Sequence, residues 1–291
     1  DRHLIMARII ISLVLIVMVR VAEGMPSAYD STSAPYALIA GGSKGIGYAI
    51  AEALAKRGYN LILIARHLED LETASEKLES EYGIRAYILV YDLTWETAAR
   101  DIATWCTNHK IQLQVLCNVA GLGGDNDYLT LPMDSLRYMV NLNVESCMAL
   151  SLTLMPLLEK NAPSYILNVA SMAGFAPIPE KNMYSATKSA VIFFSYSLRY
   201  QLRDKGISVS CLAPGPVFTK PHIRKETKKQ LGWFGMQMAV PPAKVGEIAV
   251  RKMLKEKLMI VPGFLPSVMS YIIRLLPRRL VTAIYANLGE S

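Results

Sequence analysis

Tyr36-Ala37-Leu38-Ile39-Ala40-Gly41-Gly42-Ser43-Lys44-Gly45-Ile46-Gly47 is a short apolar strand that runs directly into a glycine-rich loop. The residues that follow, Gly45–Arg57, have the pattern of a helix. Glycines let the backbone turn tightly and approach a pyrophosphate, and a helix N-terminus adds N–H donors and a partial positive charge. The spacing G-x-x-x-G-x-G differs from the commoner G-x-G-x-x-G. The loop alone is compatible with a plain turn, but its place after the first strand predicts a dinucleotide site.

Strand-like runs alternate with helical segments through the rest of the chain. The predicted strands are Tyr36–Ala40, Asn60–Ala65, Ala86–Val90, Leu113–Asn118, Ser164–Ala170 and Ile207–Leu212. The predicted helices are Gly45–Arg57, Leu68–Tyr82, Glu96–Asn108, Leu136–Leu158 and Met183–Lys205. This alternation requires right-handed crossovers and a parallel sheet. The expected fold is of the α/β class, a single Rossmann-type doubly wound parallel sheet with helices on both faces and apolar N- and C-terminal extensions.

Composition limits the classes of function. The 291 residues are 52% hydrophobic and 19% charged, which suits one large α/β domain with extensions. The cysteines (Cys106, Cys117, Cys147 and Cys211) lack metal-ligand spacing and the four histidines form no cluster, so we expect no metal site, no disulfide framework and a reducing compartment. The net charge of +7 is not accompanied by a nucleic-acid-binding motif. We therefore expect no nucleic-acid partner.

A tyrosine and a lysine stand four residues apart near the start of the last long predicted helix. This spacing puts Tyr184 and Lys188 on one helix face. A phenol with a pKa near ~10 is a poor acid–base catalyst at neutral pH, and a nearby ammonium lowers that pKa. Ser171 follows the fifth predicted strand, where a ligand crevice is expected. Tyr184 is therefore the candidate proton donor, and Ser171 is the candidate group that binds a substrate oxygen.

The glycine loop, Ala170-Ser171-Met172-Ala173-Gly174 and Tyr184-Ser185-Ala186-Thr187-Lys188 together resemble the short-chain dehydrogenase/reductase family, over about residues 36–263. Within that family the chain looks like the membrane-associated 3-oxoacyl and hydroxysteroid-type carbonyl reductases. The resemblance implies that Ser171, Tyr184 and Lys188 are catalytic and that Lys188 also holds the nicotinamide ribose. It also implies that Asn143 supports a water-linked proton relay to the lysine. Asn141 is the competing assignment, but the family pattern fits Asn143 better.

The same resemblance extends to the cofactor-binding positions. It implies that Asp92 contacts the adenine, that Asn118-Val119-Ala120-Gly121 steadies the sheet and lines the groove, and that Pro214-Gly215-Pro216-Val217-Phe218-Thr219 contacts the nicotinamide carboxamide. This chain has Ala40 where the family usually has threonine, and Val119 where it has a second asparagine. The implied cofactor-binding residues are Gly41, Ser43, Lys44, Gly45, Ile46, Gly47, Arg66, Asp92, Asn118, Ala120, Gly121, Tyr184, Lys188, Pro214, Gly215, Val217 and Thr219.

Two basic residues indicate which dinucleotide binds. An NAD site needs an acid near the end of the second strand to accept from the ribose 2′-hydroxyl, and Ile64-Ala65-Arg66-His67-Leu68 contains none. Arg66 is suited to a 2′-phosphate as a bidentate donor, and Lys44 adds a second positive charge. Two solvated surface cations are the alternative interpretation. The expected cofactor is NADP(H).

These observations predict an NADP(H)-dependent carbonyl reductase or alcohol dehydrogenase. The segment Lys220–Val240, with Trp233, Phe234, Met236 and Met238, is the expected substrate lid. Its apolar side chains favour a hydrophobic, lipid-like substrate such as a 3-oxoacyl chain, a steroid or a long-chain ketone, although packing onto the core explains them equally well. The alternatives are a scaffold or sensor that binds NADP(H) without turnover, and a methyltransferase on a similar fold, which the Tyr/Lys pair disfavours.

The termini carry the remaining expectations. The predicted division is 1–34 for an apolar segment and linker, 35–263 for the catalytic domain and 264–291 for an apolar, basic extension. Residues 4–22 are a membrane anchor or interfacial helix, with a helix packed on the fold and a cleaved signal peptide as alternatives. Residues 264–285 suit an anionic lipid surface. We expect a cytosol-facing domain held at a membrane, with a soluble cytoplasmic protein as the alternative, and a homodimer or homotetramer by resemblance to the family.

Overall fold

Seven parallel strands form one sheet in the computed structural model, which describes residues 34–123, 128–218 and 236–289. The strands are β1 (Tyr36–Ala40), β2 (Asn60–Ala65), β3 (Ala86–Val90), β4 (Leu113–Asn118), β5 (Ser164–Val169), β6 (Ile207–Leu212) and β7 (Met259–Ile260). Their spatial order is β3-β2-β1-β4-β5-β6-β7, so the order reverses between β1 and β4. Ligands bind at such a reversal, outside the carboxyl ends of the strands.

Helices cover both faces of this sheet. They are α1 (Gly45–Ala55), α2 (Leu68–Tyr82), α3 (Ala98–Asn108), α4 (Met133–Val140), α5 (Ser146–Lys160), α6 (Asn182–Leu202), α7 (Pro242–Met253), α8 (Phe264–Leu275) and α9 (Arg278–Gly289). On one face, α1, α2 and α7 bury an apolar layer against the strands, and on the other face α3, α5 and the end of α6 do the same. Strands covered on both faces are apolar throughout, which is why they are continuous hydrophobic runs in the sequence.

The predicted α/β fold is confirmed, and most predicted boundaries agree with the structure to within two residues. The predicted helix Leu136–Leu158 is instead α4 and α5 joined by a π-helical turn at Asn141–Glu145. Such a turn inserts an extra residue without ending the helix, so the apolar pattern does not reveal it. Helix α7 and strand β7 were not predicted.

The C-terminal helices α8 and α9 pack beside a third apolar cluster. Phe175 in the 3₁₀ turn Met172–Phe175, Val191 on α6, Ile273 on α8 and Val281 on α9 are all buried in this cluster. No helix among the described residues is both long and apolar enough to cross a bilayer. The predicted N-terminal segment, most of the predicted lid and Thr219 lie outside the described ranges.

Candidate active site

Four loops meet at the carboxyl edge of the sheet, after β1, β4, β5 and β6. The carbonyl of Ala40, at the end of β1, accepts from the amides of Val119 and Ala120 at 2.9 and 2.7 Å. The amide of Met172, after β5, donates to the carbonyl of Pro214, after β6, at 3.0 Å. These backbone bonds fix the loops to one another, so the crevice between them is formed before any ligand binds.

The glycine loop after β1 is held tightly against its neighbours. The amides of Gly41 and Gly42 both donate to the carbonyl of Ile64, at 2.8 and 3.2 Å. A Cβ on Gly47 would lie only 1.8 Å from the carbonyl oxygen of Gly41, so any side chain there would force α1 away from the loop. Glycine at position 47 therefore allows the helix N-terminus to approach the loop.

Helix α1 begins at Gly45 with an N-terminus that no described side chain caps. Lys44 precedes the helix in extended conformation, and Ser43 and Ile46 flank this position. The first amides of a helix lack intrahelical acceptors and carry partial positive charge. The turn is therefore suited to an anionic group such as a pyrophosphate.

Both predicted cationic residues lie at the surface near this turn. The ammonium of Lys44 is 2.8 Å from a carboxylate oxygen of Asp70, and its side chain is 71% exposed. The guanidinium of Arg66 donates to the hydroxyl of Tyr138 at 2.6 Å and lies 4.0 Å from a carboxylate oxygen of Asp92. Exposed ion pairs contribute only about 0–1 kcal/mol, so a phosphate can replace these partners at little cost.

Asp92 is oriented by the turn that follows β3. One of its carboxylate oxygens accepts from the amide of Thr94 at 3.0 Å and from the hydroxyl of the same residue at 2.8 Å. These two bonds fix the side chain at the edge of the crevice. The other oxygen faces Arg66.

The hydroxyl of Ser171 lies beside the phenol of Tyr184 and interacts with it. Ser171 is the N-cap of the 3₁₀ turn after β5, and its Oγ also accepts from the amide of Ala173 at 3.1 Å. Tyr184 projects from the first turn of α6. Burial raises the pKa of Tyr184, and the hydrogen bond from Ser171 offsets part of that increase. The phenol is therefore held protonated and paired with the serine.

Lys188 is buried beside this pair, with 4% of its surface exposed. Its ammonium donates to the carbonyl of Val169 at 3.0 Å and lies 5.9 Å from the ring centre of Tyr184. Burial disfavours the charged amine and lowers the pKa of Lys188 to about 8. The expectation that Lys188 lowers the pKa of Tyr184 is wrong for this structure, because burial of the phenol is the largest influence on it.

Asn143 lies in the π-helical turn and clamps the loop after β4. Its Oδ1 accepts from the amide of Leu122 at 2.7 Å, and its Nδ2 donates to the carbonyl of Leu122 at 2.9 Å and to the hydroxyl of Thr187 at 3.0 Å. A Cβ on Gly121 would lie 3.1 Å from both Asn143 Oδ1 and Lys188 Nζ. Asn143 and Lys188 thus both face the same space beside Gly121, so the predicted relay residues lie near each other.

Asn118 lies below the crevice in a buried polar network. Its Nδ2 donates to Asn168 Oδ1 on β5 at 2.9 Å and to the hydroxyl of Ser151 on α5 at 3.1 Å. Asn168 in turn donates to the hydroxyl of Ser195 on α6 at 3.0 Å. The Asn118 side chain therefore ties β4 to β5 and α5, consistent with the expectation that it steadies the sheet.

The loop after β6 carries the remaining predicted cofactor positions. Pro214 bonds to the turn after β5, the carbonyl of Pro216 accepts from Val240 at 3.3 Å, and Val217 is buried. A Cβ on Gly215 would lie 3.4 Å from the sulfur of Met172. These contacts place the loop across the crevice from the glycine turn.

Several residues at the site escaped prediction from the sequence. Thr187 bonds to Asn143, Tyr138 bonds to Arg66, and Asn168 and Ser195 complete the network under the crevice. Asn168 left a signal, since an asparagine within the buried strand Ser164–Val169 requires a polar partner. The sequence around Tyr138 contains no comparable signal, because the contact of Tyr138 with Arg66 depends on how α4 approaches the end of β2.

Comparisons with known proteins are consistent with this geometry. The family model described as short chain dehydrogenase matches residues 35–230. The chain is 32% identical over 197 residues to the very-long-chain 3-oxoacyl-CoA reductase of Macaca fascicularis, and the match covers 66% of this chain and 62% of that protein. It is 30% identical over 205 residues to the 17-beta-hydroxysteroid dehydrogenase type 3 of Mus musculus, covering 69% of this chain and 66% of that one.

Solved structures share the fold. A short-chain dehydrogenase from Sphingobium yanoikuyae in complex with NADPH superposes with a TM-score of 0.70 at 23% identity. The superposition covers 84% of this chain and 97% of that structure. The chain therefore shares its fold with that protein.

Proposed function

The chain belongs to the short-chain dehydrogenase family, and from that premise we propose that it is an NADP(H)-dependent oxidoreductase that interconverts a carbonyl group and a secondary alcohol. The observation that carries the proposal is the placement of the Ser171 and Tyr184 hydroxyls next to each other and beside the buried amine of Lys188. A hydroxyl pair of this kind is able to bind and protonate a single substrate oxygen.

The glycine turn, Arg66, Asp92 and the loop after β6 would hold the cofactor. The uncapped N-terminus of α1 fits a pyrophosphate, and Gly47 lets that N-terminus pack closely against the glycine loop. NADPH, when bound, supplies the hydride. We propose NADP(H) over NAD(H) because Arg66 stands at the end of β2 where an NAD site carries an acid, and because the Sphingobium structural relative was solved with NADPH.

Proton handling falls to this chain's own residues. In the reducing direction, Tyr184 donates its proton to the substrate oxygen as the carbonyl carbon gains a hydride, and Ser171 holds that oxygen in place. The raised pKa keeps Tyr184 protonated and competent to donate. Lys188, with a pKa of about 8, exchanges protons near neutral pH and is close enough to assist reprotonation. Asn143 positions the loop after β4 beside both groups.

The proposed substrate is hydrophobic and lipid-like. Two relatives are named for a very-long-chain 3-oxoacyl-CoA and for a 17β-hydroxysteroid, both of which present a carbonyl or secondary alcohol on a large apolar body. In this chain, Met172 and Met238 flank Gly215 beside the catalytic serine. A 3-oxoacyl thioester is the first substrate to test, and a 17-ketosteroid is the second.

We further propose that the domain is held at a membrane, facing the cytosol. Helix α8 exposes an apolar stripe in which Phe264 is 86%, Tyr271 65% and Leu275 84% exposed. Residues 258–289 contain three arginines and no acidic residue, which favours an anionic lipid surface. The exposed Leu152 on α5 supports the proposal of a homo-oligomer through this helix.

Turnover by Tyr184→Phe tests the reaction. The variant keeps the ring but loses the proton, so we expect oxidation of NADPH with a 3-oxoacyl-CoA or 17-ketosteroid to fall by at least about a hundredfold, within the range that general acid catalysis contributes. Binding of NADPH should be nearly unchanged. The matched control is Tyr200→Phe, an exposed tyrosine of the same helix, which should retain full activity. Equal turnover in both variants would refute the mechanism.

A further inference from the structure

A large apolar cavity lies on the side of α6 away from the catalytic pair. Its volume is about 820 Å³, within the range of sites that enclose small molecules. It is bounded by the turn at Gly174–Pro179, by one face of α6 that includes Ser189 and Phe193, and by the C-terminal helices. None of the four predicted catalytic residues lines it. It is therefore separate from the crevice in which the reaction is proposed to occur.

Two arginines give this cavity a charged end. Arg274 of α8 and Arg278 of α9 both line it, together with the hydroxyl-bearing Thr282. Arg278 donates one N–H to the carbonyl of Phe175, and Arg274 donates Nε to the carbonyl of Ser270. A guanidinium has five N–H donors, so each keeps others for a ligand. Within the described ranges, no carboxylate pairs with either arginine and none lines the cavity.

Aromatic contacts hold one of these arginines in place. The guanidinium carbon of Arg274 lies 5.2 Å from the ring centre of Phe175 and 4.6 Å from that of Tyr271. Stacking of this kind orients the planar group and lowers the conformational entropy that binding would cost. An oriented guanidinium at the end of an apolar cavity matches a ligand that carries an anionic head on an apolar chain.

We propose that this cavity binds a single-chain amphipathic anion, with a carboxylate or phosphate head on Arg274 and Arg278 and its acyl chain along α6. Charge complementarity favours this occupant over a neutral sterol, and the acid-free lining favours it over a cationic amphiphile. The site is independent of the oxidoreductase reaction proposed above, because it lies on the other side of α6 from Tyr184 and Lys188.

Photocrosslinking locates the ligand directly. The full chain, saturated with NADP(H), is irradiated with a diazirine-bearing stearic acid, and labelled peptides are identified by mass spectrometry. We expect labels in residues 174–196 and 264–289. Oleate and oleoyl lysophosphatidic acid should both compete with the probe. Their relative potency distinguishes a free fatty acid from a lipid headgroup as the preferred ligand. Oleyl alcohol, which has no charge, should compete at least about tenfold less well.

Variants test the two ends of the site. Ser189→Phe fills the cavity, and Arg278→Gln removes a charge from its end; each should weaken the apparent affinity for the stearic acid probe at least about tenfold. The control is Arg279→Gln, at an adjacent arginine that does not line the cavity, and its affinity for the probe should stay within about twofold of the parent's. All three should bind NADPH like the parent chain. The proposal is overturned if oleyl alcohol competes as well as oleate, or if Ser189→Phe labels normally.

Discussion

Lys188 carries the most deeply buried ionisable group at the site, and burial disfavours the charged form of its amine. The ammonium has the carbonyl of Val169 as its described acceptor, and two buried cysteines, Cys147 and Cys211, lie near it. Burial raises the pKa of both thiols to about 12, so they remain neutral and offer no counter-charge. The buried amine therefore lowers the stability of the folded protein, but it gives the site a group that titrates near neutral pH.

Replacement of Lys188 should make the protein more stable in a pH-dependent way. The pKa falls from 10.5 to about 8 on folding, so the unfolded chain binds the proton more tightly. The loss of folding stability caused by burying the charged amine is complete below about pH 8 and disappears as the pH rises through 10.5. We expect Lys188→Met to raise stability by about 3 kcal/mol at pH 7, at ~1.4 kcal/mol per pKa unit, with no gain near pH 11.

Thermal and chemical unfolding of the cofactor-free protein across this pH range measures the effect. The exposed Lys160 on α5 provides the control, since Lys160→Met should leave stability nearly unchanged. A Lys188→Met variant that is less stable than the parent at pH 7 would show that the amine is a net stabilising group.

Arg66 sets the proposed cofactor preference. Arg66→Asp removes a partner from the 2′-phosphate and gives the 2′-hydroxyl an acceptor, so we expect the Kd for NADPH to rise at least about tenfold and the Kd for NADH to fall. Fluorescence titration measures both constants. Arg100→Asp on α3 carries the same charge change away from the glycine turn and should alter neither. Tighter binding of NADH than NADPH by the unmodified chain would contradict the assignment.

At the scale of elements, the π-helical turn connects the loop after β4 to the start of α6. It directs Asn143 at Leu122 and Thr187, which fixes both elements around Gly121. An uninterrupted α-helix would turn this side chain by roughly 100° per missing residue, away from those partners. The irregularity in the helix is thus what assembles this part of the site.

A methyl group at position 121 tests that arrangement. The Cβ of Gly121→Ala would lie 3.1 Å from Asn143 Oδ1 and from Lys188 Nζ, so one of them must move. We expect kcat to fall by about tenfold or more with little loss of thermal stability. Gly123→Ala is the matched control, because its Cβ would meet Tyr184 at an ordinary 3.6 Å. Equal kcat values for the two variants would show that the spacing around Gly121 is not critical.

At the scale of the whole molecule, the catalytic crevice and the exposed apolar stripe of α8 are formed by different segments of the chain. The crevice is at the carboxyl edge of the sheet, whereas the exposed stripe of α8 and the arginines beside it belong to the C-terminal extension. The start of α8 reaches the crevice, because a Cβ on Gly215 would lie 3.7 Å from Pro266 Cγ.

Fractionation tests the membrane proposal. We expect the full chain to sediment with membranes and to require detergent for release. A version that starts at Ser33 should bind more weakly but still associate with vesicles containing anionic lipid, and Leu275→Ser within it should reduce that residual binding severalfold. Leu129→Ser, at another exposed leucine, is the control. Full-length protein that remains in the soluble fraction without detergent would refute the anchor.

The sequence by itself determined the fold class and the identity of the candidate catalytic residues. Strands buried on both faces must be apolar throughout, and the crossovers between them must be helical, so these features are visible in the local pattern. Glycines at a turn and a Tyr/Lys pair four residues apart are equally local. These signals located β1 to β6, the glycine turn, Ser171, Tyr184 and Lys188.

Only the tertiary structure decided how those residues interact. The direction of the Tyr184 pKa shift depends on burial by neighbours distant in the chain, and the position of Asn143 depends on a π-helical turn that leaves the apolar pattern intact. The tie between Asn118 and Asn168 joins residues 50 positions apart. The cavity beside α6 exists because α8 and α9 return to that helix. Such features arise from packing between elements, which the local sequence pattern does not encode.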